Sequence, residues 1–162
     1  MNFVSDLQIT SEIMITYNET DEKDLELISD MWKKLIHHLQ SQSKYFPMDY
    51  QCLTFEKRKE HFENLAESGK LRLDIVKDGE NYLAYSVSSI VDEKGSVESL
   101  YVDKRCRKEG IGNKLMERAL NWMELNKVSD LEILVSYGNE NALKFYEKYD
   151  FYPKHLILKK KH

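Results

Sequence analysis

The chain has 162 residues, which suits one domain and is too short for two independent ones. Hydrophobic residues make up 41% of it, enough for a packed core, while a net charge of −4 argues against a general nucleic-acid binder, which needs a basic face. Its 2 cysteines, Cys52 and Cys106, stand far apart in no metal-ligand spacing, as expected of a cytoplasmic protein in a reducing setting.

Residues 1–10 show no basic region followed by an apolar run, so no signal peptide is expected. No stretch reaches the roughly 18 apolar residues of a membrane span. From Glu12 to Tyr17 apolar and polar residues alternate, which predicts a first strand. Leu25, Ile28, Met31, Trp32, Leu35, Ile36 and Leu39 then recur at helical spacing behind an acidic start that complements the helix dipole. The polar and aromatic run Ser41–Gln51 reads as a loop. A second helix is expected from about Thr54 to Ser68-Gly69, a helix-ending pair. The period then falls to two. Leu71–Lys77, Tyr82–Val91 and Ser96–Val102 read as three strands, with turns at Asp78-Gly79 and Glu93-Lys94-Gly95 that imply an antiparallel meander. A helix follows from Gly110 to about Asn126, with Ile111, Leu115, Ala119, Trp122 and Met123 inward. Leu131–Val135 suits a short buried strand, Asn139–Tyr149 a helix, and Phe151–Leu158 a last strand. The expected fold class is α+β, with the order β-α-α-β-β-β-α-β-α-β and a mixed sheet. Residues 1–162 form a single domain.

The charge is unevenly spread. Residues 104–118 hold six bases (Lys104, Arg105, Arg107, Lys108, Lys114, Arg118) against Glu109 and Glu117. One basic segment in a net acidic chain suits a small anion better than a polyanion. Inside it, Gly110 and Gly112 open a helix. Main-chain N–H groups at a helix start lack partners, the dipole adds positive potential, and glycine lets a ligand approach closely. Together these make a phosphate cradle. A dinucleotide fingerprint would need a third glycine where Leu115 stands. A P-loop would need Gly-Lys-Ser/Thr where Gly112-Asn113-Lys114 stands.

Two motifs carry a resemblance. Arg107-x-x-Gly110-x-Gly112 follows the strand Glu98-Ser99-Leu100-Tyr101-Val102, and Asn139-x-x-Ala142-x-x-Phe145-Tyr146-Glu147-Lys148-Tyr149-Asp150-Phe151 comes one helix and one strand later. In both the chain resembles the GNAT superfamily of N-acetyltransferases, closely over residues 95–153 and weakly before residue 70. Asp150 stands where the family usually has glycine, at a turn that Asp tolerates. The resemblance implies a mostly antiparallel central sheet flanked by about four helices, with residues 12–69 supplying the acceptor side and residues 71–158 the cofactor-binding core. It implies acetyl-CoA as acetyl donor and no metal. Main-chain groups of Leu100, Tyr101 and Val102 would pair with the pantetheine arm, in a gap between the fourth and fifth strands. Amides of Arg107, Lys108, Gly110, Ile111, Gly112, Asn113 and Lys114 would wrap the pyrophosphate. Asn139 and Phe145 would line the far side of the arm, and Tyr146 would sit beside the sulfur.

Aminolysis of a thioester needs a neutral amine, a held oxyanion and a proton for the departing thiolate. Tyr146 is the expected general acid, its phenol being close in pKa to a thiol, against the plainer reading of a core aromatic beside Phe145. Glu98, a charge in an otherwise buried-looking strand and on the nominal face of Leu100 and Val102, is the candidate to orient or deprotonate the amine, against that of a salt-bridge partner. A main-chain N–H near Tyr101 or Val102 is the expected oxyanion donor. Asn139 is expected to cap its helix as well as meet the ligand. His37 and His38 are neighbours on different helix faces and make no two-His metal site. Cys106, beside the basic loop, reads by default as a plain small residue. The acceptor is a small-molecule or peptide amine whose class the sequence leaves open. No nucleic acid or membrane partner is expected, and a homodimer is compatible with the resemblance. The competing reading is a non-catalytic acyl-CoA-binding or sensing module, which keeps Arg107, Gly110 and Gly112 but needs neither Tyr146 nor Glu98.

Overall fold

The computed structural model describes residues 14–161. The reading of residues 1–10 and the first two positions of the expected first strand, Glu12 and Ile13, lie outside the described residues. Strand β1 spans Ile15–Thr20 and leads through a 3-10 turn, Glu22–Ile28, into helix α1, Ser29–Gln42. The segment read as a loop contains one short helix, α2, Pro47–Gln51, with proline in its first turn. Helix α3, Phe55–Ser68, starts where Thr54 caps it and stops at Gly69. The meander follows as β2 (Lys70–Asp78), β3 (Asn81–Val91) and β4 (Lys94–Val102). Its second turn uses Asp92 and Glu93 at positive φ, one residue earlier than the glycine predicts. A 3-10 turn at Lys104–Cys106 leads to α4, Ile111–Leu125, then β5, Asp130–Glu132, and α5, Glu140–Glu147.

The sheet has the order β1-β2-β3-β4-β5. The first four strands are antiparallel and β5 joins β4 in parallel. The expected α+β class and mostly antiparallel sheet are therefore what the chain forms. Two cores sit on opposite faces. Met31 and Trp32 of α1 and Phe55 and Phe62 of α3 pack on Leu73, Ile75, Tyr85, Val87 and Tyr101. Ile111, Leu115, Met116, Ala119 and Met123 of α4 pack on the other face, with Phe145 and Tyr146 of α5 beside them. A buried carboxylate ties α4 to the sheet. Asp74 of β2 accepts from Arg72 Nε at 2.7 Å and Arg118 Nε at 2.8 Å. Paired this way, a fully buried charge keeps hydrogen bonds in place of the water it has lost.

Two strand expectations change at the β5 edge. Of the apolar run Leu131–Val135 only Leu131 and Glu132 pair, in a three-residue β5 that starts at Asp130, and Leu134 is 89% exposed. The expected last strand, Phe151–Leu158, forms no ladder among the described residues. Leu156, Ile157 and Leu158 are exposed, and Lys159 reaches instead to Asp49 of α2 at 2.6 Å. Alternation can propose a strand, but a strand needs a partner edge, and three paired residues of β5 offer too little of one.

Candidate functional site

Where β5 stops is set by a bulge. In the β3–β4 ladder Val87 faces Ser99 and Ser88 faces Val97, so Glu98 is the extra residue with no partner. A bulge bends its strand and increases the local twist. The parallel pairing of β4 with β5 covers Lys94, Gly95 and Ser96 and ends before the bulge. The stretch Val97–Val102 consequently has β3 on one side and no strand on the other. Leu100, Tyr101 and Val102, named from sequence for a ligand's arm, lie along this open edge. One of their groups is engaged by the chain itself, since Arg107 Nε donates to the Val102 carbonyl at 3.0 Å.

The bulge also corrects the face assigned to Glu98. Two residues against one put Glu98 on the side of Ser99 and Tyr101, not that of Leu100 and Val102. Its carboxylate accepts from Ser89 Oγ at 2.6 Å and lies 3.8 Å from His61 Nε2 on α3. Its unpaired carbonyl accepts from Arg58 Nη2 at 2.7 Å, and that guanidinium stacks over the Phe62 ring at 4.5 Å. Burial pushes Arg58 below its ordinary value, with Glu98 and Tyr85 pulling back up. Arginine nonetheless stays charged. Next to this cluster the Tyr85 hydroxyl shares a 2.8 Å hydrogen bond with Ser99 Oγ. Arg58, His61 and Ser89 were not legible as site residues. Each answers to a bulge, and a single strand's alternation does not show one.

The approach to α4 is built on Asp103. Its carboxylate accepts from the Arg105 main-chain N–H at 3.1 Å, Arg105 Nε at 2.9 Å and Lys34 Nζ at 3.3 Å. The Arg105 side chain is the first cause that holds Asp103 down at about 2, and Lys34 adds to it. Lys108 and Gly110 then take positive φ, 68° and 83°, which turns the chain into the helix. Gly110 needs its freedom there, and a Cβ on it would meet nothing within 4 Å. A Cβ on Gly112 would reach only ordinary contact, 3.5 Å from the Phe145 ring and 3.6 Å from Val102 Cγ2. The protein itself does not exclude a side chain at Gly112. No side chain caps α4. Its first-turn donors, those of Ile111, Gly112 and Asn113, lie beside Lys108 and Lys114 in a setting that fits the diphosphate of a coenzyme A. Asn113 Oδ1 accepts from the Tyr149 hydroxyl at 2.8 Å, which joins the start of α4 to the end of α5.

Asn139 Oδ1 accepts from the Ala142 N–H at 3.2 Å and so caps α5. Phe145 meets Tyr146 edge-on at 5.2 Å and rests against Gly112. Burial pushes the Tyr146 phenol up to about 12. That is well above a thiol at about 8.5, so the close match expected from free side chains does not hold in the folded chain. The same desolvation acts on any thiolate held next to it and raises that group too, which narrows the gap. Asp150 sits at φ 63°, doing the turn that glycine would do. Burial raises the Cys106 thiol and leaves it less reactive than a free one. Burial first, then Arg107, lowers His38. Among the described residues no group of three or more His, Cys, Asp and Glu is placed to share a metal, and no helix is long and apolar enough to cross a membrane.

Residues 32–151 match the family model described as acetyltransferase (GNAT) family. No curated protein matches the chain in sequence. Solved structures share its fold. A GCN5-related N-acetyltransferase from Ralstonia eutropha JMP134 aligns with a TM-score of 0.70 at 16% identity, covering 91% of this chain and 99% of that one. An acetyltransferase from Clostridium acetobutylicum, solved with acetyl-CoA, gives 0.65 at 17%, covering 91% and 96%. An aminoglycoside acetyltransferase from an uncultured soil metagenomic sample, in complex with sisomicin, gives 0.62 at 12%, covering 91% and 95%.

Proposed function

The chain belongs to the GNAT acetyltransferase family, and on that premise we propose that it moves the acetyl group of acetyl-CoA directly to a primary amine, with Glu98 and Tyr146 handling the protons. The observation that carries this reading is the pairing of an uncapped helix start, Gly110 to Asn113, with an open strand edge, Val97–Val102. One holds a diphosphate and the other an extended arm. The bound thioester supplies the acyl carbon and a leaving thiolate.

The chain's own residues do the rest. The α4 donors, helped by Lys108, Lys114 and Arg107, neutralise the anionic end. Arg107 leaves the Val102 carbonyl when the arm takes that edge. Main-chain groups of Leu100, Tyr101 and Val102 orient the thioester, and an N–H of Tyr101 or Val102 faces the carbonyl oxygen. Phe145 and Asn139 close the far side. A lysine-like ammonium is mostly protonated at neutral pH, so it needs a base. Glu98 takes that role in this reading, supported by its position on the α3 side of the sheet and its hydrogen bond from Ser89. Tyr146 lies on the opposite side and keeps its proton at neutral pH, ready to pass it to sulfur. The aminoglycoside acetyltransferases that share the fold support a small polar amine as the acceptor class.

Coenzyme A release from acetyl-CoA, followed over a panel of aminoglycosides, polyamines, amino acids and peptide amino termini, tests this. Release that depends on one amine class is the expected result. Tight acetyl-CoA binding with no release across the panel would instead support a sensing module.

A further inference from the structure

We infer that His61 is the outlet for the proton that Glu98 takes from the acceptor amine. The inference rests on the reading of Glu98 as base and adds a residue and a route to it.

A base that takes a proton in every cycle must also lose one. The Glu98 side chain is 17% exposed, whereas the His61 side chain is 48% exposed, so the pair runs from inside to outside. One carboxylate oxygen, Oε1, is occupied by Ser89 Oγ at 2.6 Å. The other, Oε2, faces His61 Nε2 at 3.8 Å, about 1 Å longer than a direct hydrogen bond, as catalytic pairs often are before substrate binding draws them together. Charged and titratable groups near the pair include Arg58 and, one helical turn before His61, Lys57 on α3, and Tyr85 on β3. None of these accepts a proton. Arginine and lysine stay protonated, and burial raises the Tyr85 phenol, which already carries its proton. Imidazole is the side chain that changes protonation near neutrality. Arg58 contributes differently. By holding the Glu98 carbonyl and stacking on Phe62, it fixes the bulge and with it the aim of the carboxylate at α3.

The step balances without an oxidant or reductant. An N–H bond of the ammonium breaks, its electron pair stays on nitrogen, and an O–H bond forms on Glu98 Oε2. That O–H then breaks as His61 Nε2, whose neutral ring carries its proton on Nδ1, gains the hydrogen. The imidazolium releases its Nδ1 proton to solvent from its exposed side, and exchange with solvent returns the neutral ring to the Nδ1–H tautomer before the next cycle.

The test uses His61→Ala, His61→Gln and Glu98→Gln. His61 is half exposed on a helix surface, so both His61 variants should melt near the parent temperature. His61→Ala should lower kcat about tenfold, a step short of a direct acid–base group, with acetyl-CoA affinity unchanged by calorimetry. Added imidazole should restore His61→Ala, and the pH profile of kcat should lose its rising limb. In the ligand-free protein, Glu98→Gln should move the ring 15N resonances of His61. Full turnover of His61→Ala, a loss that imidazole does not restore, or ring resonances indifferent to Glu98→Gln would each overturn the outlet. If Glu98→Gln itself turns over normally, the base reading fails first. If Glu98→Gln is slow while His61→Ala is normal, only the outlet fails.

Discussion

Helices α4 and α5 begin in opposite ways on the same face of the sheet. Asn139 closes the start of α5 with its own side chain, while α4 begins at Gly110 with no cap at all. A glycine at the cap position costs a helix only a few tenths of a kcal/mol and leaves the first-turn donors open to a ligand. The two helices accordingly divide the work. On the proposed reading the start of α4 holds an anion, while the capped α5 carries Phe145 and Tyr146 against the same core as α4. The bridge from Tyr149 to Asn113 keeps the two ends in register.

That division can be broken one side at a time. The largest effect should come from α5. Tyr146→Phe removes one hydroxyl from the chemistry and should lower kcat about 10²-fold while leaving acetyl-CoA affinity close to the parent value. Steady-state kinetics beside calorimetry would show it, and an unchanged kcat would remove Tyr146 as proton donor. On α4, Gly112→Asp places a carboxylate where the protein leaves room for a side chain. It should weaken acetyl-CoA about thirtyfold, the worth of about 2 kcal/mol at a helix terminus, with the melting temperature little changed. Gly110→Ala differs in kind, because φ of 83° strains any side chain there. It should cost roughly 1–2 kcal/mol of stability in denaturant melts as well as affinity. Asn139→Ala should cost about 1 kcal/mol through the lost cap. Asn139→Asp should keep the cap and so the stability, and any affinity it loses would measure the contact of the amide with the ligand.

A pH-dependent effect tests the approach to α4. Asp103 is held at about 2, below its ordinary 3.8. A depressed carboxylate contributes stability above its unfolded value, and that contribution is lost as pH falls through the folded one. Asp103→Asn should therefore be on the order of 1–2 kcal/mol less stable than the parent at about pH 5, and the gap should close near about pH 2. Melts of both chains at the two pH values check this. A gap that persisted in acid would assign the loss to something other than this charge.

Much of this was legible because local rules settled it. Period-two alternation placed β2, β3 and β4, helical spacing placed α1, α3 and α4, and Thr54 and Asn139 announced their helices as caps do. The glycines at 110 and 112 marked the turn into α4. What failed to show depended on residues far apart in sequence. The bulge arises where β3 and β4 fall out of step, so it turned Glu98 over and brought Arg58 and His61 to it from 40 and 37 residues away. The apolar character of Leu131–Val135 and Phe151–Leu158 was real, but its pairing depended on whether β4 stayed beside β5, and β4 bends away. The raised Tyr146 phenol came from packing that no free-residue value contains.

The central claim is that the free donors at the start of α4 grip a diphosphate. Calorimetric titration with acetyl-CoA beside S-acetyl-pantetheine, which carries the same thioester and arm but no diphosphate, tests it most directly. Binding of acetyl-CoA tighter by about 10²-fold, with Gly112→Asp erasing most of the difference, is the predicted result, each factor of ten being 1.4 kcal/mol. Equal affinity for the two ligands, or none for either, would contradict the account.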